Sequence, residues 1–246
     1  MNRLLQLYAD NRAANRKARP QSRIVAAEGE ATLYLYESIV ADEATAEWWG
    51  GVSAQALVPA IRAIEADVLH LRINSPGGDV FAAQAIAQAV RDIGCKVIAH
   101  IDGYAASAAT VIATAADEAE MAEGGFYMIH NAWTIAIGNA QDFTAAAALL
   151  DKVDASLCAA YSRKSGQPEA ELKALMDAET WFTAQEAVDA GLVDRVAPGA
   201  KANASAWNLA AYSKAPAPAD ADQAALQAHR DRQAQRLAVM TRTQFV

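Results

Sequence analysis

The sequence predicts an α/β fold with a mostly parallel sheet covered by helices. Short apolar runs of strand length alternate repeatedly with amphipathic runs of helical length. Several helical runs are bounded by residues that cap helices, and 53% of the 246 residues are hydrophobic. Repeated strand–helix alternation is typical of βαβ crossovers, in which helices cover a parallel sheet. We expect one main domain with arms at its ends.

The first half of this domain alternates clearly between strands and helices. The runs "RIVAA" and "ATLYLYESIV" have the apolar and aromatic composition of strands. Ser53 then predicts the N-cap of a helix over "AQALVPAIRAIEA". Residues 67–74 form the next predicted strand, and residues 79–93 the next helix. Gly94 follows at a position where helices often end in the left-handed conformation.

The middle of the chain contains three further predicted strands. Residues 96–102 form a buried strand, which leads into an alanine-rich helix that begins around Ser107. A short strand around "AEMA" and another over residues 126–133 follow.

The last predicted elements have the clearest capping signals. Asp142 is predicted to open a long helix that ends at Gly166, and Pro168 to start the next. Thr183 and Glu186 form a capping box for "AQEAVDAG", and "LVDRV" is the final predicted strand.

These patterns divide the chain into three parts. Residues 1–22 form a basic arm, which we expect to be solvated or to dock on a partner. Residues 23–198 form the main domain. Residues 199–246 form a tail in which the proline-rich and alanine-rich linker "SKAPAPADADQ" leads into a weakly amphipathic, scaffold-like or disordered stretch.

Composition excludes several classes of function. The formal net charge of −8 argues against a broad nucleic-acid-binding surface. No run approaches 18 apolar residues, so we expect neither a membrane span nor, from the charged N-terminus, a signal peptide. Cys95 and Cys158 lack metal-ligand spacing, and we interpret them as reduced core thiols of an intracellular protein.

Two segments contain residues suited to catalysis. In "INSPGGD", residues 73–79, a strand runs through two glycines into a helix. This motif fits an ordinary turn, a phosphate cradle without a Walker lysine, or backbone N–H groups aimed at an oxyanion. In "HIDGYAASAATVIATAA", Gly103 permits a turn that places Ser107 in the first turn of a helix, near spare N–H groups. A packing role and a nucleophilic role both fit this serine, although G-x-S-x-G is absent.

A nucleophilic serine requires a base and usually an orienting acid. Of the four histidines, His229 lies in the tail, whereas His70 and His100 lie inside strands. His130 lies near the end of "FYMIH", just before "NAW" breaks the pattern, and sites collect at strand ends in parallel sheets. Asp177 and Glu179, in "MDAETWF", are the nearby candidate acids, and each also fits a surface carboxylate.

Four segments together resemble the Clp-type serine peptidases, which share a fold with the crotonase superfamily. They are "INSPGGDVFAAQAI", "IDGYAASAATVIATAA", "FYMIHNAW" and "ETWFTAQEAVDAGLVDRV". The resemblance implies a spiral of repeated ββα units. It also implies the nucleophile Ser107, the base His130 and oxyanion donors from the backbone of Gly78 and Ala108. The acid position of the family holds Glu179 in place of the usual Asp, and Asp177 is the alternative.

Within this family, the sequence is most similar to the head-maturation proteases of tailed bacteriophages. The likeness lies in "WWGGVSAQALVPAI", "RINSPGGDVFAAQAI" and "ETWFTA". It implies an ATP-independent endopeptidase that cleaves scaffold and capsid proteins, and itself, within the procapsid in the host cytoplasm. It further implies a homo-oligomeric ring, with the long helix from Asp142 in the subunit contact, and no metal or organic cofactor.

Three other functions stay open at this stage. One is a host-type Clp peptidase subunit that degrades unfolded proteins delivered by an ATPase. A second is a crotonase-type acyl-CoA hydratase or isomerase, for which no acyl-CoA signature is evident. The third is a shell or scaffold protein with an inactive protease core, which the departure at Glu179 keeps open.

Overall fold

The computed structural model describes residues 3–18, 23–201 and 207–216. The strands are β1 (Ile24–Ala27), β2 (Glu30–Leu35), β3 (Ile39–Val40), β4 (Val52–Ser53), β5 (Val68–Ser75), β6 (Lys96–Ala106), β7 (Glu118–Glu123), β8 (Phe126–Ile129), β9 (Thr180–Thr183) and β10 (Arg195–Lys201). The helices are α1 (Arg3–Ala18), α2 (Glu43–Trp49), α3 (Ala54–Arg62), α4 (Val80–Asp92), α5 (Ala108–Ala113), α6 (Ala140–Ser165), α7 (Glu169–Asp177) and α8 (Ala184–Asp189).

The predicted α/β class with a mostly parallel sheet is confirmed. The order β1-β2-β5-β6-β7-β10 forms the main sheet, and only its β1–β2 pair is antiparallel. β8 pairs in parallel with β6 and antiparallel with β9. β6 extends to Ala106, beyond the predicted end at residue 102, because its first half pairs with β7 and its second half with β8. The change of partner strand places the end of β6 directly before Ser107.

One face of the sheet packs against helices, and the other carries a polar network. Leu71, Ile101, Ile86 of α4 and Ile112 of α5 share one buried apolar core. The polar face is half-buried, and its charged and imidazole groups pair across strands. The contacts are Arg72 Nε to Asp102 Oδ2 at 2.9 Å, His70 Nδ1 to His100 Nε2 at 2.9 Å, and His100 Nδ1 to Glu120 Oε1 at 2.7 Å.

Several predicted helix ends are confirmed. The Ser53 side chain accepts the Ala56 N–H at the start of α3. Thr183 and Glu186 form the capping box of α8. Gly166 ends α6 in the left-handed conformation, and Pro168 is the N-cap of α7.

Two predicted helix boundaries are wrong. α4 ends at Asp92 because Ile93 is extended and leads into β6, so Gly94 does not adopt a left-handed conformation. α6 begins at Ala140, with Asn139 as its N-cap. Asp142 is the third helical residue and supplies the other half of a capping box.

Over residues 3–18, the basic N-terminal segment packs one face of α1 against the main domain, and its other face is exposed. Leu7 and Tyr8 on α1 are buried, and the Tyr8 hydroxyl donates to Ile39 O at 2.9 Å. Asn11 and Asn15 are buried on the same helix face. Because Asn11 and Asn15 are polar, apolar periodicity indicates only the first part of this packed face.

The boundaries of the three predicted parts stay predictions. Of the tail, residues 202–206 and 217–246 lie outside the described part of the chain, as does His229. Residues 207–214 pack onto the main body. The described cysteines are free, Cys158 being buried and Cys95 half-buried. In the described ranges we find no helix with the length and apolarity of a membrane span.

Candidate active site

Ser107 occupies a strained position between β6 and α5. Its φ of 53° and ψ of −124° place a non-glycine residue in a region that costs about 1 to 3 kcal/mol. Its amide donates to Met128 O at 2.8 Å, and its side chain does not cap α5. The hydroxyl is therefore free to contact a partner outside the helix.

That partner is His130. Ser107 Oγ lies 2.7 Å from His130 Nε2, within hydrogen-bonding distance. Parallel pairing of β6 with β8 aligns Ala106 with Met128, so the two strands end side by side. Residues just beyond neighbouring parallel strands meet at one edge of a sheet, which brings these two side chains together.

The environment of His130 favours its neutral form. The ring is 7% exposed and packs edge-on against Trp133, with 4.6 Å between ring centroids. Burial lowers the pKa of His130 from its ordinary 6.5 to about 4, although the charge of Glu179 acts in the opposite direction. Arg3 lowers the pKa further. At neutral pH the imidazole is thus uncharged and able to accept a proton.

The two glycines of "SPGG" lie close to the backbone beside Ser107. Gly78 has a φ of 145°, and a Cβ at this position would lie 1.9 Å from Ile39 O. A Cβ on Gly77 would lie 2.5 Å from Ala106 O and 3.0 Å from the Ser107 Cβ. Only glycine allows this close approach.

The residues whose amides are assigned to oxyanion binding line the same cavity as the serine and histidine. Gly78, Ser107, Ala108 and His130 all line a cavity of about 110 Å³. No described residue accepts a hydrogen bond from the N–H of Gly78 or Ala108. Of the three interpretations of "SPGG", this arrangement supports the oxyanion site.

Glu179 is buried near His130 without a hydrogen bond to it from any described atom. It is 9% exposed and has a φ of 48°. Its carboxylate accepts the amide of Ser213 at 2.9 Å and that of Lys214 at 2.5 Å. Its charge raises the pKa of His130 through space. Glu179 therefore influences the imidazole electrostatically.

Asp177 lies at the surface and is engaged elsewhere. Its carboxylate forms an ion pair with Lys173 and accepts the Asn131 side-chain N–H at 2.7 Å. The Lys173 ammonium lowers the pKa of Asp177. Of the two candidate acids, only Glu179 is buried and exerts a charge effect on His130.

Several residues of the site escaped the sequence patterns. Tyr212 lines the cavity, as do Leu4 and Leu7 of α1. The available signal was the aromatic pair in "WNLAAY" (207–212), which interrupts an otherwise alanine-rich tail. Leu4, Leu7 and Tyr212 lie far along the chain from the four motif segments, so the sequence patterns did not assign them to the site.

The other described histidines do not reach this cavity. His70 and His100 belong to the polar face of the sheet, where they contact each other and His100 contacts Glu120. Nor do the described residues contain a group of three or more His, Cys, Asp or Glu side chains arranged to hold a metal ion.

Comparison with known proteins links this fold to peptidases. The family model described as Clp protease matches residues 15–199. The ATP-dependent Clp protease proteolytic subunit of Porphyromonas gingivalis is 32% identical over 130 residues, which are 52% of this chain and 59% of that protein. The subunit of Streptococcus salivarius is 32% identical over 132 residues, or 52% of this chain and 67% of that one.

A solved structure shows the same fold. A point mutant of ClpP1 from Listeria monocytogenes superimposes with a TM-score of 0.56 and 23% sequence identity. The match covers 68% of this chain and 90% of that one. The chain spans about three fifths of the length of the Porphyromonas gingivalis protein that it matches.

Proposed function

The chain belongs to the Clp protease family, and from this premise we propose that it is a serine endopeptidase with Ser107 as nucleophile and His130 as general base. The observation that carries the proposal is the 2.7 Å contact between Ser107 Oγ and Nε2 of the buried His130. An activated serine needs a neutral base in hydrogen-bonding contact. The adjoining cavity gives a peptide carbonyl a place beside both groups.

The proposed mechanism uses only residues of this cavity. His130 Nε2 takes the hydroxyl proton as Ser107 Oγ attacks the peptide carbonyl carbon. The amides of Gly78 and Ala108 bind the resulting oxyanion, each contributing about 3 kcal/mol to the barrier reduction. His130 then protonates the leaving amine, and a water molecule activated by His130 releases the acyl group from Ser107.

Glu179 acts in this mechanism as a negative charge beside the imidazole. When His130 gains a proton in the transition state, that charge stabilises the imidazolium that forms. The Glu179 oxygens accept hydrogen bonds from the amides of Ser213 and Lys214. We therefore expect Glu179 to stabilise the imidazolium less than a carboxylate that is hydrogen-bonded directly to the ring would.

Paired substitutions separate the two candidate acids. We expect Glu179→Gln to lower kcat by about 10- to 100-fold, less than the roughly 10⁴-fold loss typical of a directly bonded triad acid. Asp177→Asn should leave kcat within about twofold, because surface ion pairs contribute little. Peptide hydrolysis by the two purified variants measures the difference. Equal losses in both, or a larger loss in Asp177→Asn, would reverse the assignment.

We further propose that this peptidase acts in head maturation of a tailed bacteriophage, cleaving capsid and scaffold proteins inside the procapsid without ATP. The motif likeness in "WWGGVSAQALVPAI" and "ETWFTA" supports this assignment. The second candidate is a Clp peptidase subunit that works with an ATPase. It is favoured by the names of the curated relatives, which are proteolytic subunits of ATP-dependent Clp protease.

A ring of identical subunits fits either function. The first half of α6 is exposed, and its buried positions begin only at Val153. Phe143 and Leu149 on this half are 53% and 49% exposed. The neighbouring Ile135 and Ile137 are exposed as well. Such a cluster of exposed apolar side chains supports contact with a second copy of the chain.

Co-expression with capsid and scaffold proteins tests the phage assignment. We expect wild-type protein to produce discrete fragments without an ATPase, and Ser107→Ala to produce none. N-terminal sequencing of the fragments identifies the cleaved bonds, and light scattering of the same preparation gives its oligomeric state. Cleavage of unfolded protein that requires a Clp ATPase, with capsid protein left intact, would favour the second candidate. A 26 kDa monomer under active conditions would contradict the ring.

A further inference from the structure

Residues 207–214, here called the strap, pack against the site from outside the matched family region. Trp207, Leu209 and Tyr212 on the strap are 7%, 7% and 4% exposed. The family match ends at residue 199, so the strap is additional to the matched fold. A short segment that buries three large side chains is firmly docked.

Three sets of hydrogen bonds anchor the strap. Trp207 Nε1 donates to Asn74 O at 3.2 Å, at the end of β5. Asn208 exchanges two bonds with the Asn11 side chain of α1, at 2.7 and 2.8 Å. The Tyr212 hydroxyl donates to Pro76 O at 2.5 Å, within the turn that carries Gly78. The strap thereby joins α1 to the proposed oxyanion turn.

Tyr212 contacts the imidazole directly. Its ring meets that of His130 edge-on, with 5.4 Å between centroids and an interplanar angle of 85°. It also packs against Trp133 at 5.0 Å and Trp181 at 5.8 Å. Tyr212 also lines the same cavity as Ser107. One strap residue therefore contacts the imidazole and shares the cavity with the serine.

Ser213 and Lys214, the next two strap residues, hold the Glu179 carboxylate near His130. The amides of Ser213 and Lys214 donate to the two oxygens of Glu179. Hydrogen bonds to an ionised carboxylate are stronger than those between neutral groups. The strap thus determines where the Glu179 charge lies relative to the imidazole.

The strap forms a wall of the site and does not block it. Ser107 stays half-buried, and the cavity lined by Ser107, Ala108 and His130 has Tyr212 on one side. The Ser107–His130 contact of 2.7 Å is made with the strap docked. A segment that inhibited the site would be expected to separate the dyad or fill its cavity.

We propose that Tyr212 is a positioning residue, which fixes the His130 ring against Ser107 while the adjoining strap amides hold Glu179 beside it. This proposal rests on the serine peptidase function proposed above. A general base contributes about 10²- to 10⁴-fold to rate, and that contribution depends on its geometry.

The strap also affects the pH at which His130 takes up a proton. The groups that face the imidazole are Ser107, Glu179, Arg3 of α1 and Tyr212. Burial, to which the Tyr212 ring contributes, is the main cause of the lowered pKa of His130. Removing that ring admits water and should move this pKa upward from about 4 toward 6.5.

Tyr212→Ala and Tyr212→Phe in the full chain test this role. We expect Tyr212→Ala to lower kcat about 10- to 100-fold with KM within about threefold, because a displaced base slows the chemical step. His130 acts as a base only when it is neutral. The fall of kcat/KM on the acidic side of the pH profile should therefore occur at a higher pH in Tyr212→Ala. Tyr212→Phe keeps the ring and should restore kcat to within about threefold of wild type, with the fall of kcat/KM at its original pH.

Tyr34→Ala is the matched control, since it removes a half-buried aromatic ring that does not line the cavity. Tyr34→Ala should change neither kcat nor the pH at which kcat/KM falls on the acidic side.

If Tyr212→Ala fails to fold, Tyr212→Leu provides the comparison with Tyr212→Phe. Wild-type kcat and pH profile in the Ala or Leu variant would overturn the proposal, and an increased kcat would identify the strap as an inhibitory cover. Hydrolysis that survives Ser107→Ala would instead overturn the peptidase function itself.

Discussion

Ser107→Ala is expected to lower kcat for peptide hydrolysis by about 10⁵- to 10⁶-fold, which is the loss seen when a serine peptidase loses its nucleophile. Residual acceleration would come from the Gly78 and Ala108 amides and from substrate binding alone. Stability should change by only about 1 kcal/mol, because the variant loses one hydrogen bond and little buried volume. The rate with a peptide substrate and a thermal melt measure the two effects.

A fluorophosphonate probe and a control serine make this test specific. The probe reacts only with an activated serine, so wild-type protein should be labelled at Ser107 and the Ala variant should not be labelled. Ser156→Ala removes an exposed hydroxyl on α6 and should retain full rate and labelling. Labelling elsewhere, or a wild-type rate in Ser107→Ala, would exclude the proposed nucleophile.

His130→Gln is expected to cost about 10⁴- to 10⁶-fold in kcat, because glutamine cannot accept the serine proton. Wild-type activity should persist into mildly acidic solution and fall as the pH drops through the pKa of His130, about 4 in the folded protein. His130→Gln should not show this fall in activity. Rate–pH profiles of both proteins, with His100→Gln on the polar sheet face as the control, provide the measurement. If His130→Gln still loses activity as the pH drops through about 4, a group other than His130 causes that loss.

The same substitution should alter the dependence of stability on pH. Because the folded-state pKa of His130 lies below its ordinary 6.5, the unfolded chain binds a proton between pH 6.5 and 4 that the folded chain does not. Wild-type stability is therefore complete above pH 6.5 and falls toward pH 4, by on the order of 3 kcal/mol from this group. Urea unfolding at pH 7 and pH 4 should show a smaller drop for His130→Gln; equal drops would contradict the buried neutral histidine.

Much of the fold is predictable from local patterns. The predicted strand over residues 67–74 corresponds to β5 (Val68–Ser75), and the capping box at Thr183 is present as predicted. These features depend on neighbouring residues, so a short window of sequence contains the relevant physics. The end of α4 was misplaced because Ile93 turns toward β6, and Gly94 alone does not reveal that direction.

The candidate site was predictable only in part. The resemblance singled out Ser107 and His130, and the structure brings their side chains into contact. Their catalytic roles and the role of Gly78 stay predictions. The choice between Asp177 and Glu179 stayed open in the sequence, because both residues occupy the same turn and differ chiefly in burial.

The sequence by itself determined the order of most strands and helices, several of their caps, and which hydroxyl and imidazole lie near strand ends. Only the tertiary structure decided that α1 and the strap complete the site. α1 and the strap meet through Asn11 and Asn208, which are 197 positions apart, and Glu179 meets amides 34 and 35 positions away. Local propensities contain no information about such contacts, because they form only when the packed core brings remote segments together.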